Sequence, residues 1–173
     1  RGIPITLALV YSEIARRVGV EARGVSFPGH FLLRVEGSRG KPLVVDPFYG
    51  GQVLTRAALT GRLRRALGAP ATSIEAHLEV APVRAVLVRI ALNLKHAYLA
   101  RGDLARALLA TDRVVSLDPA LAAALLERAS LAERLGAYEA ARSDLRRYAE
   151  LFPEKAEAAG ARARLEELEA RRT

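Results

Sequence analysis

The order of apolar and polar positions divides the chain into two regimes. Over residues 4–18 apolar side chains recur at helical spacing, with Ile5, Leu9, Ile14 and Val18 beside Leu7, Val10 and Ala15. This predicts an amphipathic helix. Pro4 suits its first position, where a missing N–H costs nothing. Arg16 and Arg17 favour the last turn, and Gly19 ends it. Short apolar runs then predict strands over 21–27, 30–36 and 42–46, separated by Pro28-Gly29 and by the turn Gly37-Ser38-Arg39-Gly40. Gly50-Gly51 makes a further turn before Val53-Leu54, and Thr55 is placed to cap a helix reaching about Leu67. Gly68-Ala69-Pro70 breaks that helix, and residues 71–81 read as a linker or a short helical turn.

From residue 82 onward the pattern is helical only, and it repeats. Gly102 and Gly136, Ala107 and Ala141, and Pro119 and Pro153 are each 34 residues apart, the tetratricopeptide period. In the first repeat Leu94, Tyr98, Ala107 and Pro119 fill the expected slots. In the second, Leu125, Ala129, Ala132, Ala141, Leu145 and Pro153 do so, while Arg128 stands where Leu is usual. Physically, the Gly ends one helix, small residues let paired helices approach, and the Pro stops the second helix. Antiparallel helices are predicted over 86–101, 103–117, 120–135 and 137–151. A charged helix over 154–171, with Ala156, Ala159, Ala163, Leu165 and Leu168 as its apolar side, reads as a cap for the array.

Composition adds exclusions. With 51% apolar residues the chain can bury a real core. It has no Cys, which removes disulfides, thiolate metal sites and thiol catalysis from this chain and fits a reducing, cytoplasmic setting. No run of apolar residues reaches the roughly 18 needed to cross a membrane. The chain begins at Arg1 within a motif, so a further N-terminal segment is expected. The net charge of +8 raises nucleic acid as a partner, but its distribution argues against one. Residues 1–80 carry 11 basic and 6 acidic side chains, and residues 81–173 carry 16 and 13. The one local cluster, Arg62, Arg64 and Arg65 with Arg56 nearby, lacks interleaved aromatics for base stacking.

His30 and Asp46 lie sixteen residues apart on successive predicted strands behind the first helix. A His oriented by a carboxylate is the proton-handling half of a nucleophilic triad. Taken singly, each residue also has a structural reading, because His30 sits between Gly29 and Phe31 and Asp46 precedes Pro47. A thiol at a helix N-terminus would complete the set, since that end favours the thiolate. Thr6 and Ser12 carry aliphatic hydroxyls on that helix, but Thr6 points about 200° around it from Pro4 and Ser12 lies two turns deep. A metal site needs more than His30 and Asp46, and no third ligand stands at suitable spacing. No cofactor is expected.

The segments Arg1-Gly2-Ile3-Pro4-Ile5, Pro28-Gly29-His30-Phe31 and Asp46-Pro47-Phe48 resemble the transglutaminase-like cysteine hydrolase core. Joined to the repeats, they resemble the bacterial SirB-type invasion-regulator family. The resemblance implies an α+β fold: a transglutaminase-like (papain-like) core fragment over 1–80, followed by an all-α tetratricopeptide-repeat module over 81–173. It implies that His30 and Asp46 are remnants of a triad. Aligning the family's helix on this one places its nucleophilic Cys at Pro4, which offers neither a nucleophile nor an N–H. The expectation is a non-catalytic regulator whose repeats bind a protein or peptide, with Arg89, Lys95, His96 and Arg128 as polar contacts. The alternative is a hydrolase or acyltransferase that receives a nucleophile or metal-bound water from elsewhere.

Overall fold

A short antiparallel sheet carries the first half of the protein. The computed structural model describes residues 2–37, 40–68 and 73–170. The expected turn residues Ser38-Arg39, the break at Ala69-Pro70, the start of the 71–81 linker, Arg1 and the last residue of the capping helix lie outside that range. Two units are described separately below, residues 1–86 and 87–173.

In the first unit, helix α1 (Pro4–Arg17) precedes strands β1 (Ala22–Val25), β2 (Leu32–Val35), β3 (Leu43–Asp46) and β4 (Gln52–Val53), and helix α2 (Arg56–Leu67) follows. The strands pair in sequence order, all antiparallel, with Val25 opposite Leu32, Leu33 opposite Val45 and Asp46 opposite Gln52. Side chains alternate across a sheet. Leu32 accordingly joins Val25, Phe27, Leu54, Ile74 and the α2 residues Leu59 and Leu63 in one buried cluster. Helix α1 packs on β1 and β2 through buried Ile5 and Ala8. Thr55 caps α2 by accepting from the Ala58 N–H at 3.2 Å.

Two expected strands are shorter than the apolar runs implied. The His30 N–H donates to the Phe27 carbonyl at 3.0 Å and closes a tight turn. Pro28 stands at its second position and Gly29, with φ +70°, at its third, the pattern of a type II turn. His30 therefore belongs to this turn rather than to a strand. Gly24 is required for a different reason. A Cβ there would stand 2.8 Å from the Phe31 ring, which is buried. The ambiguous stretch resolves into a 3-10 turn over Glu75–His77, and Ala81 N–H donates to the Gly24 carbonyl at 2.8 Å.

Beyond it run α3 (Val83–Leu99), α4 (Leu104–Leu117), α5 (Ala122–Arg134), α6 (Tyr138–Leu151) and α7 (Ala158–Ala170). Neighbours pack α4 on α5, α5 on α6 and α6 on α7. Their core contains Val114, Leu125, Ala129, Ala132, Ala141, Leu145, Tyr148 and Leu168. The expected small contacts are buried to the limit: Ala107 and Ala141 are 0% exposed and Ala129 is 2%. The capping helix begins four residues later than predicted. After Pro153 the chain makes local turns, with Lys155 N–H donating to Phe152 and Ala158 N–H to Lys155. The buried face also differs from the expected one. Ala158, Ala161 and Leu168 are inside, whereas Ala156, Ala159 and Ala163 are exposed.

Candidate functional site

Asp46 ends β3 and is completely buried. Its side chain caps the 3-10 turn Pro47–Tyr49, where Oδ1 accepts from Phe48 N–H at 3.1 Å and more weakly from Tyr49 N–H at 3.4 Å. The same oxygen meets His30 Nε2 at 2.8 Å. The turn at Pro28-Gly29 and the end of β3 thus bring the two sequence-predicted residues into direct contact. Asp46 Oδ2 is held by a third group, Arg62 of α2, at 2.5 Å. The burial of Leu59 and Leu63 anchors the helix that delivers this arginine.

These contacts decide the charge of the site. Burial pushes the Asp46 carboxyl up, but the hydrogen bonds and charges of His30 and Arg62 outweigh it and leave its pKa below the ordinary carboxylate value. Asp46 is thus an ionised anchor. Its bond to Nε2 orients the ring and leaves Nδ1 as the nitrogen it does not engage. Tyr49 stacks on the imidazole with centroids 6.0 Å apart, and the Arg62 guanidinium lies over the Tyr49 ring at 5.5 Å. Phe48 meets the imidazole edge-on at 5.9 Å. A cleft of about 380 Å³ opens beside the ring, lined by Pro28, Gly29, His30, Tyr49, Arg62, Arg65 and Ala66.

The two hydroxyls considered as substitutes for a thiol are spent elsewhere. Thr6 Oγ1 donates to the Ile3 carbonyl at 2.9 Å and accepts the Ile3 N–H at 3.2 Å, closing the start of α1. Ser12 Oγ donates to the Ala22 carbonyl at 3.1 Å and ties α1 to β1. Pro4 stands at the first turn of α1. Among the described residues no three His, Cys, Asp or Glu side chains form a metal-binding group.

Arg62 and Tyr49 were not singled out as site residues from the sequence. In the sequence Arg62 stands only as a member of the basic cluster with Arg64 and Arg65. The signal available was that a buried Asp46 demands a counter-charge, and that Arg62 lies between Leu59 and Leu63 on a helix with one buried face. The cluster itself is partly neutralised, since Arg56 pairs with Glu75 and Arg62 with Asp46.

The four expected polar contacts of the helical unit separate into two kinds. His96 is exposed and Arg89 is half-buried, with burial lowering the pKa of its guanidinium. Lys95 is corrected from an open contact to a buried one. It is 3% exposed and its ammonium reaches Glu127 of α5 at 2.5 Å. Arg128 is likewise committed. It forms a two-bond fork with Asp144 at 2.7 and 2.8 Å and also pairs with Asp112. The hydrogen bonds to Asp144 are the first cause that raises its pKa. Its occupation of a Leu slot is explained by this link between α4, α5 and α6.

The transglutaminase-like superfamily model matches residues 1–92, and the tetratricopeptide repeat model matches residues 94–166. A UPF0162 protein of Xylella fastidiosa is 41% identical over 155 residues, covering 88% of this chain and 55% of that protein. A UPF0162 protein of Pseudomonas aeruginosa is 36% identical over 148 residues, covering 85% and 53%. Human F-box only protein 21 is 44% identical over 61 residues, covering 31% of this chain and 10% of its own length. The chain thus spans about half the length of the bacterial relatives it matches. Among the described residues no helix is long and apolar enough to cross a membrane.

Proposed function

The chain belongs to the transglutaminase-like superfamily through residues 1–92, and from that premise we propose that it works without catalysis, as a cytoplasmic regulator of the SirB type. Its tetratricopeptide repeats hold a protein or peptide partner. One observation carries the reading. The His30–Asp46 pair is assembled at 2.8 Å, yet the helix start that this family reserves for the nucleophile holds Pro4, and the chain has no Cys. The hydroxyls of Thr6 and Ser12 are engaged with backbone at the helix start and at β1, which supports the same conclusion.

A second reading draws on the same geometry. A carboxylate-oriented imidazole is a competent proton acceptor, so a nucleophile or metal-bound water supplied from outside this chain would make it a hydrolase or acyltransferase. One assay separates the two. The purified chain is incubated with glutamine-donor and amine-acceptor peptides and with a peptidase substrate mixture, with and without divalent ions. The expected result is no turnover and no labelling by iodoacetamide. Turnover abolished by His30→Ala would overturn the non-catalytic reading, and a requirement for a divalent ion would favour the water-based chemistry.

A further inference from the structure

The cleft beside His30 has a sign as well as a shape. Two of its lining side chains are arginines, one is the imidazole, one is the phenol ring of Tyr49, and none is acidic. The nearest carboxylate, Asp46, is fully buried and its oxygens are taken by His30, Arg62 and two backbone amides. Asp46 and Arg62 cancel formally. Arg65, one turn further along α2, is exposed and has no ion-pair partner among the described residues. The cleft therefore keeps one uncompensated guanidinium, and Arg62 has five N–H donors of which Asp46 uses one. At about 380 Å³ the space suits one or two residues of a peptide rather than a macromolecular surface.

We propose that this cleft is an anion subsite: it receives an oxyanion presented by a peptide, gripped by Arg65 with support from Arg62, while Tyr49 and Pro28 provide flanking apolar contact. The shared chemistry is a negatively charged oxygen pair or triad facing a guanidinium, which a carboxylate and a phosphoryl group both supply. The inference goes beyond the partner binding proposed for the repeats: it rests on the non-catalytic reading of the first unit and gives that unit a ligand of its own. Arg62 has a positioning role here, because it holds both Asp46 and the wall of the cleft.

The test uses fluorescence anisotropy on the full chain with three labelled peptides of one Ala/Gly sequence. One carries a central Glu pair, one a phosphoserine, and one the neutral Gln pair. The expected result is binding of a charged peptide with no measurable binding of the neutral one. Arg65→Glu should weaken it by about tenfold or more. Arg64→Glu, at an exposed position of the same helix but outside the cleft, should change it less than twofold. Preference for the Glu or the phosphoserine peptide identifies the oxyanion source. Equal loss in the two variants would mean a diffuse field along α2 and would overturn the subsite, as would binding of the neutral peptide or of none. Ring-proton shifts of His30 on titration give an independent readout, and their absence at saturation would place the peptide elsewhere. Failure here leaves the turnover assay untouched, and turnover would sink the non-catalytic reading even if the anion bound.

Discussion

Replacing Asp46 by Ala tests whether the site also holds the first unit together. The carboxylate is completely buried and accepts from His30, Arg62 and the Phe48 and Tyr49 amides. Loss of the cap costs about 1 kcal/mol. Breaking a fully buried ion pair costs roughly 3–5 kcal/mol, because the remaining charge is stranded. Arg62 keeps 22% of its side-chain exposure, so water recovers part of that penalty, and the net loss is estimated at about 3 kcal/mol. Native-state hydrogen exchange of the β2–β3 amides reads it directly, as an acceleration of roughly a hundredfold. Asp46→Asn, which keeps an oxygen for the turn amides but not the charge, should lose about 2 kcal/mol.

The pH dependence has a definite sign. The folded carboxyl titrates below its ordinary value. Its stabilisation is therefore present above the unfolded value of about 3.9 and is lost as pH falls through the folded one. The part of the gap between parent and Asp46→Asn that comes from the carboxylate should be lost only as pH falls below about 4. Glu13 and Glu75, lowered to about 2 chiefly by hydrogen bonds from Arg16 and Arg56, titrate in the same range, and the subtraction removes them. An Ala variant exchanging within about threefold of the parent would refute the ion-pair argument.

Two further predictions address the helical unit. Ala141 is 0% exposed in the packed core, so Ala141→Leu should cost about 1–3 kcal/mol through overpacking. Urea titration measures it, and an unchanged midpoint would mean the repeat register is misassigned. The Lys95–Glu127 pair should be asymmetric, since the Lys95 side chain is 4% exposed and the Glu127 side chain 46%. Glu127→Ala strands a buried ammonium and should destabilise by about 2–3 kcal/mol, whereas Lys95→Met should be nearly neutral. Equal losses in thermal melts would show that the pair itself contributes the stability.

The sequence by itself determined the architecture, because periodicity is a local property of the chain. Helical spacing from Pro4 onward, Pro28-Gly29 between two apolar runs and the 34-residue offsets of Gly, Ala and Pro each act through neighbouring backbone. It also brought His30 and Asp46 forward as a pair, since successive antiparallel strands bring a turn residue and a strand end together. His30 stands in a turn rather than a strand through a local hydrogen bond to Phe27, which Pro28-Gly29 favours. Two features depended on tertiary structure. Arg62, Lys95 and Arg128 became internal partners of Asp46, Glu127 and Asp144, and a charged side chain carries no local sign of whether a carboxylate or water will meet it. The capping helix buried Ala158 and Ala161 instead of Ala159 and Ala163. An alanine-rich helix presents similar small faces all round, so only the opposing surface of α6 selects which one goes inside.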